Sequence, residues 1–473
     1  MDPTSEVTGP VADRAGHSLA GTQVSAPLRL DRQLGLVAAT ATNLVTMIGA
    51  GPFVTIPLLL GTLRGPQAML GWIIGAIIAL CDGLVWAELG AAFPHSGGGY
   101  EYVLESFDAR SLGKLMSFML LWQTVIITPL LIAVGAVGFS GYAAYLYPTI
   151  THTESIALAI GVCIVATLLI YRRIGSVARW NVTGTLLVTA VALWIVGDGV
   201  LNFHPANFVV PRGAFELTSD FWAGLGGATL FALFDYIGYQ TIAYVGGEVL
   251  KPQATIPRAI LLSIVAACTL YLTMNLSIVA VIPWQEAMHS SYLVSDFIAR
   301  LHGARIAQLV TLMILAIMLC GVCSAMLGVS RIPYAAARHG DFFAVFARLH
   351  PTRRFPHIAV LFIGFASAVS CLFTLEELIR AGTVIFVLVQ SLPVVIAVAA
   401  LRARRPDVQR PFQMWWYPLP WVIAFSGWIY ILVCSGLTYI LIGLAVTLIG
   451  AAAYLWRAKR KSEWPWPVLT AAR

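Results

Sequence analysis

Two short glycine-containing stretches, each inside a long apolar segment, carry the residue types best suited to binding a small polar molecule. The first lies within the apolar segment 34–60, precedes Pro52, and reads Met47-Ile48-Gly49-Ala50-Gly51. Glycine adds backbone entropy to a helix and proline removes a donor, so a continuous helix is not expected here. In lipid, a broken helix is tolerated only where it lines a cavity enclosed by protein. The sequence therefore predicts a broken helix whose exposed amides and carbonyls act as ligands.

The two ends created by such a break differ in charge. The N-terminus of a half-helix favours an anionic group, and the C-terminus of a half-helix favours a cation. Together these ends suit the carboxylate and ammonium of an amino acid. We interpret the first break as half of a substrate site.

The second stretch lies in the apolar segment 221–247 and mirrors the first. Its predicted break falls around Phe234, Asp235 and Gly238. A second glycine-interrupted segment in the corresponding position of a second half indicates the site of an inverted-repeat transporter. Asp235 could hold a substrate ammonium, carry a proton, or only cap a half-helix.

Another acidic residue, Asp82, falls inside the apolar segment 68–93. At about 100° per residue it shares one stripe of the helix with Gly71, Gly75 and Ala79. Small residues mark the seam where membrane helices approach closely, so we expect Asp82 to face protein. An ionised carboxylate at mid-membrane costs about 2.5 to 3.5 kcal/mol. Asp82 therefore either couples transport to a proton or cation, or forms a structural hydrogen bond to the first helix.

Two further positions leave alternatives open. Trp122, in the middle of the third apolar segment, either lines the cavity or packs against a neighbour. Glu88, near the end of the second segment, is expected to be a solvated or gating carboxylate. The glycines that follow it at 97–99 predict a tight turn rather than a phosphate-binding loop, since no strand precedes them.

The elements that position these residues are membrane helices. The chain has 473 residues, is 59% hydrophobic and 11% charged, and has a mean hydropathy of +0.83, which soluble domains do not show. Since roughly 20 apolar residues cross a bilayer, we predict an all-α membrane protein with twelve transmembrane helices. The predicted spans are 34–60, 68–93, 113–147, 155–171, 180–200, 221–247, 258–283, 305–335, 357–374, 377–402, 418–434 and 436–456.

The basic residues are distributed unevenly between the two sides of these spans. If both termini are cytoplasmic, five of the 29 Lys and Arg residues lie outside, namely Arg64, Arg212, Arg300, Arg305 and Arg380. The positive-inside rule then predicts this orientation, and we expect the protein in the inner (plasma) membrane. The net charge of +7 thus serves topology and contact with the lipid bilayer, and nucleic acid is not an expected partner.

The remaining segments and residue types exclude several classes of protein. Residues 1–33 predict a disordered cytoplasmic tail without a cleavable signal peptide, and 457–473 a basic cytoplasmic tail. All seven cysteines fall in predicted spans, where packing outweighs redox or metal chemistry. No HExxH motif and no catalytic triad is placed at membrane depth, so we expect no metal, no cofactor and no enzyme activity.

Four groups of short motifs occur in order between residues 34 and 456. They are Ile48-Gly49-Ala50-Gly51; Ala87-Glu88-Leu89 with Phe93-Pro94 and Ser96-Gly97-Gly98; Glu248 with Pro252 and Pro257; and Ser330-Arg331 with Ala337-Arg338 and Gly340. Jointly they resemble the amino acid, polyamine and organocation superfamily of permeases. The resemblance implies a five-plus-five inverted-repeat fold that works by alternating access. Its parts would be repeats 34–200 and 221–402 and a peripheral helix pair, 418–456.

The same resemblance implies how a substrate would be held. The substrate carboxylate would meet the amides of Ala50 and Gly51, and the ammonium would meet carbonyls near Met47, Phe234 and Asp235. The expected function is secondary active transport of an amino acid or related amine by proton symport or exchange. The full set of expected substrate-binding residues is Met47, Ile48, Gly49, Ala50, Gly51, Phe234, Asp235, Gly238 and Trp122.

Other functions remain as alternatives. Gly51-Pro52-Phe53 and an acid at position 82 resemble the polyamine uptake branch, but Gln240 replaces an acid typical of that branch. Some proton-coupled members use a lysine in the fifth helix, which this chain lacks, so Asp82 or Asp235 is the coupling candidate. A large soluble signalling extension would favour a substrate sensor, and none is expected beyond the short tails. An exchanger with a light-chain-like partner usually needs an outer-loop cysteine, so no obligate protein partner is expected.

Overall fold

The described part of the protein is a bundle of helices. The computed structural model describes residues 32–49, 51–95, 97–108, 112–172, 177–338, 340, 342–350 and 355–466. Within these ranges the isolated β-pairing is a single parallel bridge between Leu34 and Val249. The predicted tail 1–33, apart from its last two residues, and the end of the tail 457–473 lie outside the described residues.

The helices are numbered in chain order. They are α1 (Leu36–Met47), α2 (Gly51–Leu63), α3 (Leu70–Ala92), α4 (Gly99–Ser106), α5 (Leu112–Leu146), α6 (His152–Arg172), α7 (Val177–Leu201), α8 (Ser219–Tyr236), α9 (Thr241–Tyr244), α10 (Pro252–Val281), α11 (Trp284–Ala287), α12 (Leu293–His302), α13 (Ala304–Arg338), α14 (His357–Ser370), α15 (Leu375–Phe386), α16 (Leu392–Arg404), α17 (Leu419–Cys434) and α18 (Leu437–Lys461).

Seven helical stretches among the described residues are long and apolar enough to cross a membrane. One of them, Leu375–Arg404, runs through α15, a π-helical turn and α16. An eighth candidate is the pair α1 and α2, whose axes differ by 53° across the intervening break. Three shorter apolar helices accompany them: Leu186–Leu201 within α7, α14 and α17. The chain is thus an all-helical, multi-pass membrane protein, while twelve spans and the inverted repeat stay predictions.

Close helix packing places α3 against α8. A Cβ atom added to Gly71 would lie 2.7 Å from the backbone carbonyl carbon of Ala228, and one added to Gly75 would lie 3.3 Å from the Cβ of Ala232. Any larger residue at Gly71 would force the two helices apart. The small residues of α3 therefore let α8 approach, and α8 carries the second predicted break.

A buried ion pair fixes the end of the bundle at which α3 and α16 finish, which we call the basic end. Glu88 is fully buried and accepts hydrogen bonds from Arg402 at 2.8 and 2.6 Å and from the amide of Met414 at 2.8 Å. The Arg402 guanidinium also lies over the Tyr417 ring. The expectation of a solvated carboxylate at Glu88 is wrong, because this side chain is fully buried. Its partners lie more than 300 residues away in the sequence, so local sequence does not reveal them. A gating role remains a prediction.

Removing the Glu88 charge tests how far this pair stabilises the fold. Glu88→Gln leaves Arg402 without its carboxylate in a buried setting, which costs about 3 kcal/mol or more. We expect a clear fall in the melting temperature of the purified protein in detergent.

Glu105→Gln is the matched control. It breaks the Arg405–Glu105 pair, whose side chains are 43% and 34% exposed, and exposed pairs contribute at most about 1 kcal/mol. Equal effects of the two substitutions would show that burial of Glu88 adds nothing.

Candidate functional site

The two helix breaks lie against each other. α1 ends at Met47 and α2 begins at Gly51, while α8 ends at Tyr236 before Gly238, whose φ of +135° favours glycine. A Cβ added to Gly238 would lie 3.1 Å from the Met47 amide nitrogen. The helices therefore break at both predicted positions, and the backbone of one break touches the other. Ala50, which was expected to bind substrate, lies outside the described residues.

Between the two ends of the first break, the backbone is not helical. Ile48 has ψ of 78°, and its amide still bonds the Leu44 carbonyl at 2.7 Å. The amide of Gly49 turns back to the Met47 carbonyl at 2.9 Å. A Cβ added to Gly49 would meet no atom within 4 Å, so open space adjoins this residue.

Asp235 belongs to α8, and its carboxylate lies against Gly51, the first residue of α2. Its side chain is 3% exposed, and its Oδ2 accepts a hydrogen bond from the Thr55 hydroxyl at 2.5 Å. Its Oδ1 is buried and has no hydrogen-bond partner among the described residues. A Cβ added to Gly51 would lie only 2.1 Å from this Oδ1 and 3.7 Å from the Phe234 ring. The carboxylate thus occupies the amide end of α2, where the first-turn amides of a helix lack intrahelical partners.

The carbonyl end of α1 is held by an aromatic cluster. The Tyr271 hydroxyl of α10 donates to the Met47 carbonyl at 2.8 Å. Tyr271 packs against Trp72 and Tyr236, with ring centroids 5.4 and 5.7 Å apart. A carbonyl has two lone pairs, and at Met47 the Tyr271 hydroxyl and the Gly49 amide occupy both.

Asn43 joins the helix segments on the basic side of the two breaks. Its side-chain oxygen accepts from the Ile242 amide at 2.8 Å, and its nitrogen donates to Ser263 at 3.2 Å. At the start of α1, the Leu34 carbonyl accepts from the Leu250 amide at 2.9 Å. Sequence reasoning did not single out Asn43; the signal available was an amide side chain inside a predicted membrane span, and the structure shows that this side chain is fully buried.

Asp82 lies behind the second break. It is 1% exposed and accepts hydrogen bonds from the Tyr239 hydroxyl at 2.5 Å and the Trp428 indole at 3.0 Å. Tyr239 directly follows Gly238, so Asp82 anchors the backbone at that break to α3 and α17. These hydrogen bonds do not reach the first helix, which was the expected structural partner, and a coupling role for Asp82 stays a prediction.

Trp122 lies apart from the two breaks. Its indole nitrogen donates to the Val446 carbonyl of α18 at 3.1 Å, and its ring fills the space beside Gly450. These contacts are those of the packing alternative. The neighbouring Gln123 instead faces Gln390, at 3.2 Å, in the π-helical turn between α15 and α16.

Metal binding has no support in the described ranges of the chain. No group of three or more His, Cys, Asp or Glu side chains comes together there in a way that could hold an ion. The chemistry of the site is thus that of two helix ends, one unpartnered carboxylate oxygen and surrounding aromatic rings.

The Asn43 bridge gives a stability prediction. Asn43→Ala leaves the Ile242 amide buried without an acceptor, which costs about 1 to 3 kcal/mol. We expect a lower melting temperature and faster hydrogen exchange at the Ile242 amide.

Thr42→Ala serves as the control for Asn43→Ala. The Thr42 hydroxyl is exposed and bonds only its own helix, at the Ala38 carbonyl. If both variants melt alike and the Ile242 amide stays protected in Asn43→Ala, the bridge does not hold these segments together.

Comparison with known proteins identifies the family of this chain. A family model described as amino acid permease matches residues 34–468. The large neutral amino acids transporter small subunit 2 of Mus musculus is 31% identical over 467 residues, covering 91% of this chain and 83% of the relative. Two proteins of Bacillus subtilis also match: the branched-chain amino acid permease BcaP, 24% identical over 92% of this chain and 94% of its own length, and the aspartate-proton symporter, 29% identical over 74% and 69%. The chain belongs to the amino acid permease family of the amino acid, polyamine and organocation superfamily.

Proposed function

We propose that this permease is a secondary active transporter that carries an amino acid across the inner (plasma) membrane by alternating access. Its family and the names of its relatives support an amino acid as substrate over a polyamine. The two touching helix breaks support a central site. We further propose that the basic end faces the cytoplasm, in agreement with the positive-inside rule.

The substrate would bind between the two breaks. Its carboxylate would take the amide end of α2 at Ala50 and Gly51, and its ammonium the carbonyls near Met47 and Phe234. Each group then meets the helix end of opposite partial charge. The close contact of Gly238 with Met47 supports this placement, since it brings the carbonyl end of α8 to the same point.

The position of Asp235 carries the proposal of proton coupling. Its Oδ1 already lies against Gly51, at the helix end proposed for the substrate carboxylate. Two carboxylates a few ångströms apart in a buried site repel each other strongly. A protonated Asp235 is neutral and can donate its hydroxyl to the substrate carboxylate. Substrate and proton would therefore bind together, and each would raise the affinity for the other.

Asp82 is the second candidate for coupling. Both of its oxygens accept hydrogen bonds from neutral donors, Tyr239 and Trp428. Asp82 thus has partners for its charged form, whereas one oxygen of Asp235 has none within the described residues. This difference favours Asp235 as the group that takes up the proton.

Asp235→Asn tests the coupling. In the wild type, raising the pH removes the proton from Asp235, so substrate binding should weaken as the pH rises. The variant is neutral at every pH, so its binding should lose this dependence. In proteoliposomes it should still exchange internal for external substrate but should not accumulate substrate from a pH gradient.

The outcome is read against Asp82→Asn, which removes a buried carboxylate of the same helix bundle. Accumulation lost only in Asp82→Asn would assign coupling to Asp82. Unchanged pH dependence of binding in Asp235→Asn would remove Asp235 from the coupling step.

A pair of glycine substitutions tests the site itself. Gly51→Ala places a methyl group where Asp235 Oδ1 now lies, whereas Gly49→Ala meets no atom within 4 Å. Overpacking costs about 1 to 3 kcal/mol, which corresponds to about 5-fold to 150-fold in affinity. Ligand-induced thermal stabilisation, screened over twenty amino acids, putrescine and spermidine, should weaken in Gly51→Ala and persist in Gly49→Ala.

Either of two results of this screen would contradict the proposal. Undiminished stabilisation of Gly51→Ala would place the substrate elsewhere. Stabilisation of the wild type by amines alone would make Asp82 and Asp235 ligands of a polyamine.

A further inference from the structure

A single buried hydroxyl, that of Tyr142, joins three elements far from the basic end. α5 begins a few residues after α4, whose Glu105 pairs with Arg405 at the basic end. Tyr142 lies about 30 residues further along α5, which is about 45 Å at 1.5 Å per residue. Its side chain is fully buried. The hydroxyl therefore lies at the opposite end of the bundle, which is the outer end in our proposal.

The Tyr142 hydroxyl serves two backbone groups that helices leave unpaired. It donates to the Phe53 carbonyl of α2 at 2.9 Å and accepts from the Val294 amide of α12 at 3.4 Å. In a regular helix the Phe53 carbonyl would accept from the amide of residue 57, but Pro57 has no amide hydrogen. Val294 is the second residue of α12, and first-turn amides lack intrahelical partners. One hydroxyl thus satisfies both groups.

The packing around Tyr142 divides the elements into a frame and a closing piece. The hydroxyls of Ser295 and Thr311 lie 2.7 Å apart, which fixes α12 to α13. α13 packs along α5. A Cβ added to Gly138 of α5 would lie 3.0 Å from Cγ1 of Val54 in α2. α5, α12 and α13 therefore form a frame, and α2, half of the broken span, closes against it.

The turn of α2 that contacts Tyr142 also contacts Asp235. Thr55, two residues after Phe53, donates its hydroxyl to Asp235 at 2.5 Å. Phe53 is 1% exposed and Thr55 is fully buried. A movement of α2 away from Tyr142 would therefore displace a group that holds the proposed proton-binding carboxylate.

We propose that Tyr142 is a positioning residue for transport, whose hydroxyl holds the outer end of the substrate pathway closed by fastening α2 to α12. This inference rests on the alternating access proposed above. When α2 moves away, water reaches the Phe53 carbonyl and the Val294 amide and replaces the hydroxyl. In the closed form without the hydroxyl, both groups stay buried and unpaired, which costs free energy in that form only. Tyr142→Phe should therefore favour the form that is open to the outside.

The accessibility of residue 49 from each side of the membrane tests the proposal. Gly49→Cys places a thiol in the open space beside the first break, in full-length protein oriented in proteoliposomes. A membrane-impermeant maleimide is added on one side, and mass spectrometry counts the label on the tryptic fragment 33–64, which holds none of the native cysteines. Adding Tyr142→Phe should raise the labelling rate from the outer side about fivefold, the effect of one net hydrogen bond. It should lower the rate from the basic side.

Tyr145→Phe is the matched control. Tyr145 lies one turn further along α5, and its ring packs against Tyr292 with the centroids 5.5 Å apart. Its hydroxyl makes no hydrogen bond within the described residues. This variant should label as Gly49→Cys alone does. Faster labelling from both sides in Tyr142→Phe would overturn the proposal, because it would show a general loosening of the fold.

Pro57→Ala tests the pairing with Phe53 separately. It returns an amide donor to the Phe53 carbonyl, so Tyr142→Phe should change the labelling rates less than it does with Pro57 in place. An equal fold-change in both backgrounds would overturn this pairing.

The same measurement separates the role of Tyr142 from the proposed function. Two-sided labelling at rates that Tyr142→Phe does not change would overturn the role of Tyr142 and support alternating access. Labelling from one side only in every variant would overturn both.

Discussion

A backbone amide or carbonyl inside a bilayer has no water to bond, and the architecture of this permease depends on that constraint. Two helices are interrupted, and each interruption finds its partners in the other or in a buried side chain. Tyr271 serves the Met47 carbonyl, and Asn43 serves the Ile242 amide. Beside the first break, at the start of α2, Oδ1 of Asp235 is a buried oxygen without a hydrogen-bond partner among the described residues.

In the proposed mechanism, Asp235 makes the site at this helix end respond to protons. A helix N-terminus attracts a carboxylate of any origin, and in this structure the chain supplies its own. One oxygen is bonded to Thr55 and the other is left without a partner among the described residues. Our proposal therefore makes occupation of the helix end by ionised Asp235 and by a substrate carboxylate competing states, with the charge on Asp235 deciding between them.

Much of this arrangement follows from local sequence, and the rest does not. Glycine and proline predicted the first helix break, and glycine predicted the second, because backbone entropy and a missing donor act within a few residues. Burial of Glu88 was not predictable, since its partner Arg402 lies 314 positions away. Trp122 gave two equal alternatives, because a tryptophan in an apolar helix looks the same whether it faces a cavity or Val446 of α18. Asn43 was passed over for the same reason, since only the fold reveals its two partners.

The bridge made by Asn43 also bears on how fast the basic end can open. Asn43 ties α1 to the segment after Gly238, and the pairing of Leu34 with Leu250 ties the same two pieces a second time, nine residues earlier in the chain. Moving α1 alone would break both attachments. In the alternating-access cycle that we propose, the two pieces would therefore swing together as one lever, and the barrier to moving the whole lever, rather than the fraying of one helix end, would set the turnover rate.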